Sequence, residues 1–292
     1  MVPLQVAVIG GDRRQVSLCA LLARQGHRVR CYGLEKAALP LKAEQAGCLQ
    51  SCVYGAEWVL LGVPTEKDAL LNTPLSVQKL TMEELLAVLW PGQALCGGGF
   101  SQRSSLAAVR GGLRVYDLLR RRDYAVGNAA LTAEGALALL VQNSGGSLLS
   151  SRVLVTGWGR IASLLAPRLR AMGAFVTVAA RRAGDRAMAA ALGLDACRFD
   201  ELEGRMGAFD FVVNTVPAPV IPDALLEKLQ PGALLLELAS EPGFGRERAE
   251  ALGLKALHAP GLPGKYAPEA AAALYWDTVC AIMREKEEND GT

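Results

Sequence analysis

Histidine is almost missing from this chain: His27 and His258 are the only two among 292 residues. That supply nearly excludes a histidine-rich metal centre and leaves little room for a Ser-His-Asp hydrolase. Aromatic residues are few, at 5%, and no Lys/Arg run interleaves with them, so no nucleic-acid partner is expected. A formal charge of +2 creates no long-range field, and any cationic function has to be local. No apolar run is expected to reach the roughly 18 residues needed to span a bilayer. The N-terminus, MVPLQVAVIGGD, lacks the basic start of a signal peptide. The expectation is a cytoplasmic protein without a membrane partner. Cysteine is present but unorganised: Cys19, Cys31, Cys48, Cys52, Cys96, Cys197 and Cys280 are scattered and odd in number. They read as reduced packing residues, and no metal is expected. Any catalytic chemistry then falls mostly to a cofactor.

What the chain does have is core. Hydrophobic residues make up 51% and charged residues 21%, and the length suggests about two domains. LQVAVIG (4–10), HRVRCYG (27–33), EWVLLGVP (57–64), QALCGG (93–98) and LRVYDLL (113–119) read as buried strands. Helical patterns separate them, notably after Gly11 and over MEELLAVLW (82–90), which Pro91-Gly92 closes. The second half restarts with SRVLVTG (151–157), AFVTVAA (174–180), a short edge element near 194–198, FDFVVNTVP (209–217), ALLLELAS (233–240) and LKALHAP (254–260). Strands alternating with helices predict an α/β protein of two doubly wound, parallel-sheet, Rossmann-like domains. The expected organisation is 1–127 as a substrate and catalytic domain and 128–266 as a cofactor domain opened by a crossover helix at 128–146. Residues 267–292 are expected to form a C-terminal helix that packs back on the first domain or makes a contact between copies in a homo-oligomer.

One motif stands directly after a strand and opens a helix: Gly157-Trp158-Gly159-Arg160-Ile161-Ala162. In that setting the first glycine allows the tight turn and the second admits a pyrophosphate. Ala162 lets helix and sheet approach, and the helix N-terminus supplies amide donors. About twenty residues on, where such units often carry an acid for the ribose hydroxyls, this chain has Arg181 and Arg182. Two guanidiniums suit a 2′-phosphate, so NADP is the expected cofactor rather than NAD. Asn214, Thr215, Val216 and Pro217 after the fourth strand, and Ala239 and Ser240 after the fifth, are expected to line the same site, because ligands of open α/β sheets sit at the carboxyl ends of strands. In the first half, Gly10-Gly11-Asp12 lacks the third small residue, since position 15 is Gln. It fits a tight turn, or an anion site built with Arg13 and Arg14.

In order along the chain, VAVIGGDRRQ, NAALTAEGALAL, VLVTGWGRIA, VAARR, VVNTVPAPVI, LLELASEPGF and KALHAPGLPGKYAPEAAA resemble the dipicolinate synthase A-subunit family of endospore-forming bacteria. The resemblance implies NADP-dependent oxidation of dihydrodipicolinate to pyridine-2,6-dicarboxylate. It also implies action with a flavoprotein-like B subunit in the mother-cell cytoplasm during sporulation. A small dicarboxylate needs cationic and hydroxyl partners. The substrate-side candidates are Arg13, Asn128, Thr132 and the Gly261, Leu262, Gly264 loop. Glu134 is the first candidate for proton acceptor and Asp12 the second, although Glu134 also fits a solvated helix face and Asp12 a helix cap. Lys265 and His258 read as a loop lysine and a structural histidine. A 2-hydroxyacid or shikimate-type dehydrogenase, or a non-catalytic NADP-binding protein, remains the alternative. ELASEPGFG lacks the Arg-Gly of the hydroxyacid enzymes, and no Lys/Asp pair of the shikimate type stands in the first domain.

Overall fold

The computed structural model describes residues 2–145 and 147–290 and divides into two compact units, Met1–Asn128 with Pro263–Thr292, and Ala129–Leu262. The first unit contains β1 (Gln5–Ile9), α1 (Arg13–Arg24), β2 (Arg28–Tyr32), β3 (Ala43–Gln45), α2 (Leu49–Val53), β4 (Trp58–Leu61), β5 (Glu66–Lys67) and β6 (Leu70–Leu71). It continues with α3 (Met82–Val88), β7 (Ala94–Gly97), α4 (Gln102–Arg110), β8 (Arg114–Asp117) and the start of α5 (Arg122–Asn143). Six strands pair in parallel in the order β3-β2-β1-β4-β7-β8, while β5 and β6 form a small antiparallel hairpin. The direction of winding reverses between β1 and β4, where doubly wound sheets bind ligands. The β1 residues from Val6 to Ile9 are buried, as strands covered on both faces must be.

The second unit holds β9 (Arg152–Thr156), α6 (Arg160–Ala171), β10 (Phe175–Ala179), α7 (Ala183–Ala191), β11 (Asp195–Cys197), β12 (Phe211–Asn214) and α8 (Asp223–Leu226). After these come β13 (Leu234–Glu237), α9 (Arg246–Ala251), β14 (Lys255–His258) and the first residue of α10 (Leu262–Tyr266). Its parallel sheet runs β11-β10-β9-β12-β13-β14, reversing between β9 and β12. Both halves therefore have the doubly wound parallel architecture that the strand pattern predicts. Each sheet carries an apolar cluster on either face.

The chain returns to the first unit through α11 (Pro268–Asp290). Its Ala272, Tyr275, Trp276 and Val279 share one apolar cluster with Leu18 and Leu22 of α1. The Tyr275 hydroxyl lies 2.9 Å from the Cys96 carbonyl oxygen, and Trp276 Nε1 donates to Gln25 Oε1 at 2.7 Å. Buried hydroxyl and indole groups find partners in this way.

Three local expectations are corrected. Helix α5 begins at Arg122 instead of 128, because Gly127 does not break it: a Cβ there would come within 2.7 Å of Leu274, so the glycine admits α11. The expected end at residue 146 lies outside the described residues. Helix α5 is also long and apolar enough, by length and composition, to cross a membrane. Tyr124 and Ala125 are instead buried in the first unit's core, and Ala133, Ala136 and Leu140 in the second's. The cysteines are free, but Cys48 is exposed, capping α2, so it is not a packing residue.

Candidate functional site

The dinucleotide turn of the second unit is shaped by its glycines. Gly157 adopts φ +85°, a left-handed conformation that favours glycine. A Cβ there would lie 2.7 Å from Val216 Cγ2 and 3.1 Å from Thr215 Oγ1, so the loop after β12 rests directly on the turn. Gly159 caps α6 without any side-chain hydrogen bond, and nothing lies within 4 Å of where its Cβ would be. The first amides of α6 thus keep donors for an anion, aided by the helix dipole. Buried Ala162 lets α6 pack on the sheet. A hollow of about 270 Å³ opens here, lined among others by Gly157, Trp158, Arg181, Arg182, Thr215 and Pro217. This donor set fits the diphosphate of a nicotinamide dinucleotide.

A second hollow shares Arg181 and Phe199 with the first and adds Arg186, Arg198 and Asp200. Its arginines are not equivalent. Arg186 Nη1 donates to the carbonyl oxygens of Ala180 and Arg181 at 2.9 and 2.7 Å, which ties down the turn after β10. Arg198 is clasped by Asp200 at 2.9 and 2.5 Å. Arg181 and Arg182 are exposed, and neither makes an ion pair among the described residues. They are the cations left for a ligand.

The remaining cofactor candidates separate. Thr215, Val216 and Pro217 line the first hollow. Asn214 is buried below them, accepting from Thr156 Oγ1 at 2.5 Å and from Val216 N at 3.1 Å. Arg160 is exposed and Ile161 half-buried on the first turn of α6. Ala239 is buried, its amide donating to Glu237 Oε1, and Ser240 is exposed. Neither of these two lines the hollow.

At the reversal point of the first unit, Asp12 caps α1 in a reciprocal box with Gln15. Its Oδ1 accepts from Arg14 N at 3.0 Å and Arg14 Nε at 2.9 Å, and its Oδ2 from Arg14 Nη2 at 2.8 Å. Arg14 also donates to the Val63 carbonyl oxygen. Burial opposes its charge, but the hydrogen bond and charge of Asp12 outweigh that and hold the guanidinium more firmly protonated than usual. Beside it, burial pushes the Tyr124 hydroxyl up to about 12. Arg13, the expected anion ligand, is exposed, and its neighbour Arg14 faces the core. Gly264 reaches this group: a Cβ there would lie 2.5 Å from Asp12 Oδ2.

The glycine-rich strand end at 96–104 resembles an anion cradle but contains its own anions. Asp117 accepts from Gly99 N at 2.9 Å and Phe100 N at 3.3 Å. Glu66 accepts from Ser101 N at 2.8 Å and Ser104 Oγ at 2.9 Å, at the start of α4.

Of the other substrate candidates, Asn128 is half-buried in the first unit. Thr132, Glu134, Gly261 and Leu262 belong to the second. Thr132 and Leu262 are buried, whereas Glu134 is exposed on α5 and Gly261 is exposed in a left-handed turn at φ +67°. His258 and Lys265 are exposed. Sequence reasoning offered Arg14 as an anion ligand beside Arg13, whereas it clasps Asp12, and it missed Phe199 and Glu237. The last had a visible signal, an acid closing the apolar run LLLE.

Residues 5–119 match the family of dipicolinate synthase A-subunit N-terminal domains. Residues 116–241 match the D-isomer specific 2-hydroxyacid dehydrogenase NAD-binding domain. The dipicolinate synthase A-subunit of Bacillus subtilis (strain 168) is 28% identical over 99% of this chain and 98% of its own. Two crystal structures superpose over nearly the full length. That of the dipicolinate synthase A-subunit from Bacillus halodurans has TM-score 0.83 and 25% identity, covering 97% of this chain and 98% of the other. That of its Bacillus subtilis counterpart has TM-score 0.81 and 27% identity, covering 99% and 98%. The cofactor unit is accordingly a nicotinamide-dinucleotide domain of dehydrogenase type.

Proposed function

Because this chain is related along its whole length to the dipicolinate synthase A-subunit, we propose that it oxidises dihydrodipicolinate to dipicolinate in the mother-cell cytoplasm, with NADP⁺ as hydride acceptor and in partnership with a B subunit. The observation that carries the cofactor half is the Arg181–Arg182 pair, exposed at the rim of the dinucleotide hollow without an acid at the end of β10. An acid there would accept from both ribose hydroxyls and repel a 2′-phosphate. Two guanidiniums do the reverse.

When bound, the nicotinamide supplies the two-electron sink, and the chain's residues do the rest. Gly157, Gly159 and the first amides of α6 hold the diphosphate, and Thr215 to Pro217 form the wall beside it. In the first unit Arg13, at the start of α1, offers a cation to one substrate carboxylate. Asp12, fixed by Arg14, takes the proton released as the ring becomes aromatic. The Arg14 clasp fixes the direction in which the Asp12 carboxylate points. Aromatisation supplies driving force, so positioning matters more than a strong base.

Purified protein with NADP⁺ and freshly generated dihydrodipicolinate should produce NADPH absorbance and the ultraviolet signature of the pyridine product, with the B subunit present or absent. Turnover only with the B subunit would make the active form the complex. Cofactor binding without turnover in either case would overturn the enzymatic reading in favour of a non-catalytic NADP-binding protein.

A further inference from the structure

A polar row crosses the carboxyl ends of four adjacent strands in the second unit. Thr156 of β9 stands beside Asn214 of β12, Asn214 beside Glu237 of β13, and Glu237 beside His258 of β14. Glu237 is 3% exposed and, among the described residues, has no cation bonded to it. A buried carboxylate persists only where hydrogen bonds replace water. Here they replace it only in part, and burial still holds the Glu237 carboxyl above its ordinary pKa. Oε1 accepts from Ala239 N at 2.8 Å and Asn214 Nδ2 at 2.8 Å, and Oε2 from Gly243 N at 2.7 Å and Asn214 Nδ2 at 2.9 Å.

These donors tie Glu237 to two loops. Asn214 Nδ2 also meets the Val216 carbonyl oxygen at 2.9 Å while Asn214 Oδ1 accepts from Val216 N at 3.1 Å, so the amide clamps both sides of that residue. Thr215 Oγ1 donates to the Thr156 carbonyl oxygen at 2.7 Å, and the loop rests on Gly157. On the other side Gly243 covers the Asn214 amide so closely that a Cβ would come within 2.3 Å of it. Rotating Asn214 would break contacts with all of these at once. Glu237 gives Nδ2 two carboxylate acceptors beside the Val216 carbonyl, and with the Val216 amide and the Thr156 hydroxyl donating to Oδ1 it holds the amide one way round.

We propose that Glu237 is a positioning residue for the cofactor: through Asn214 it sets the Thr215–Pro217 wall of the dinucleotide hollow. Glu237 touches no part of that hollow itself. Its effect is therefore confined to the wall, leaving the Arg181–Arg182 rim as it is. The charged and titratable groups near it are His258 on β14 and Arg246 at the start of α9, which line a small separate hollow with it.

The inference rests on dinucleotide binding by the second unit, and the test separates the two. Dissociation constants of NADP⁺ and of 2′,5′-ADP are measured on the full chain for wild type, Glu237→Gln, Asn214→Asp and the double exchange, with circular dichroism as a check on folding. Glu237→Gln replaces an acceptor by a donor facing an N–H, and leaving a buried donor unsatisfied corresponds to about a tenfold loss. NADP⁺ should weaken by that factor, while 2′,5′-ADP, held at the arginine rim, stays near wild type. Asn214→Asp should behave alike, and the double exchange, which restores one donor facing one acceptor, should recover part of the loss. Equal losses for both ligands in the folded variants, no loss in either, or no recovery in the double exchange would overturn the positioning role. Should Glu237→Gln not fold, Asn214→Asp carries the same comparison. Wild-type protein that binds neither ligand would instead overturn the dinucleotide reading itself.

Discussion

Asp12 and Arg14, two residues apart at the start of α1, meet through two side-chain hydrogen bonds of 2.9 and 2.8 Å, with the carboxylate 24% and the guanidinium 5% exposed. The pair closes the reversal point of the first sheet and places a partly accessible acid there. Asp12→Asn keeps a good N-cap residue but removes the charge that balances Arg14. Breaking one side of a buried pair costs about 3 kcal/mol, and that loss should appear in denaturant unfolding of Asp12→Asn. If Asp12 also accepts the substrate's proton, turnover at saturating substrate should fall by more than the residual folding defect explains. An unchanged rate in folded protein would remove it from the chemistry.

The arginine rim makes the cofactor choice testable. Arg181→Ala with Arg182→Ala should weaken NADP⁺ by roughly ten- to hundredfold, since hydrogen bonds to charged groups are worth about 1.5–3 kcal/mol. NAD⁺ should change little. Titration of both dinucleotides against intrinsic fluorescence measures this, and parallel losses would exclude a 2′-phosphate role.

All strands of the two sheets except the edge strand β3 were readable, because parallel strands buried on two faces show as apolar runs such as VAVI and VLVT; the exposed β3 and the short β5–β6 hairpin carry no such run. The dinucleotide turn was readable too, since Gly157 and Gly159 are required by backbone geometry that acts within a few residues. Side-chain direction was not. Arg13 and Arg14 are chemically identical in the sequence, and only the turn of α1 decides that Arg14 points at Asp12 and the core. Nor could the glycines at 97–99 reveal that Asp117 and Glu66 already occupy the amides of that loop. Such pairings join residues far apart in the chain. Glu237 lies between the two cases: an acid ending LLLE is conspicuous, but its partner Asn214 comes from another strand.

Gly157 allows a sharper test of the turn. Gly157→Ala forces a left-handed conformation on an L residue and drives a methyl toward Val216. The conformational part alone costs about 1–2 kcal/mol, and the clash displaces the wall of the hollow. Binding of NADP⁺ should fall at least about tenfold, with a lower unfolding midpoint. Wild-type affinity would mean that the turn does not approach the cofactor.

His27 supplies a pH signature in the first unit, away from the carboxyl ends of the strands. Its Nδ1 accepts from Leu4 N at 3.1 Å, and its ring packs edge-on against Trp276 at 5.1 Å. Protonation would set one N–H against another, and burial lowers the imidazole pKa from its ordinary value. A histidine whose folded pKa is depressed contributes stability above its unfolded value of about 6.5. That stability is lost as the pH falls through the folded value. Thermal midpoints should therefore decline across the acid interval below about pH 6.5. His27→Asn keeps an acceptor near the Nδ1 position and cannot titrate. It should start from a lower midpoint, having lost the Trp276 contact, and show a flatter profile across that interval. A profile as steep as wild type would assign the acid sensitivity to other groups.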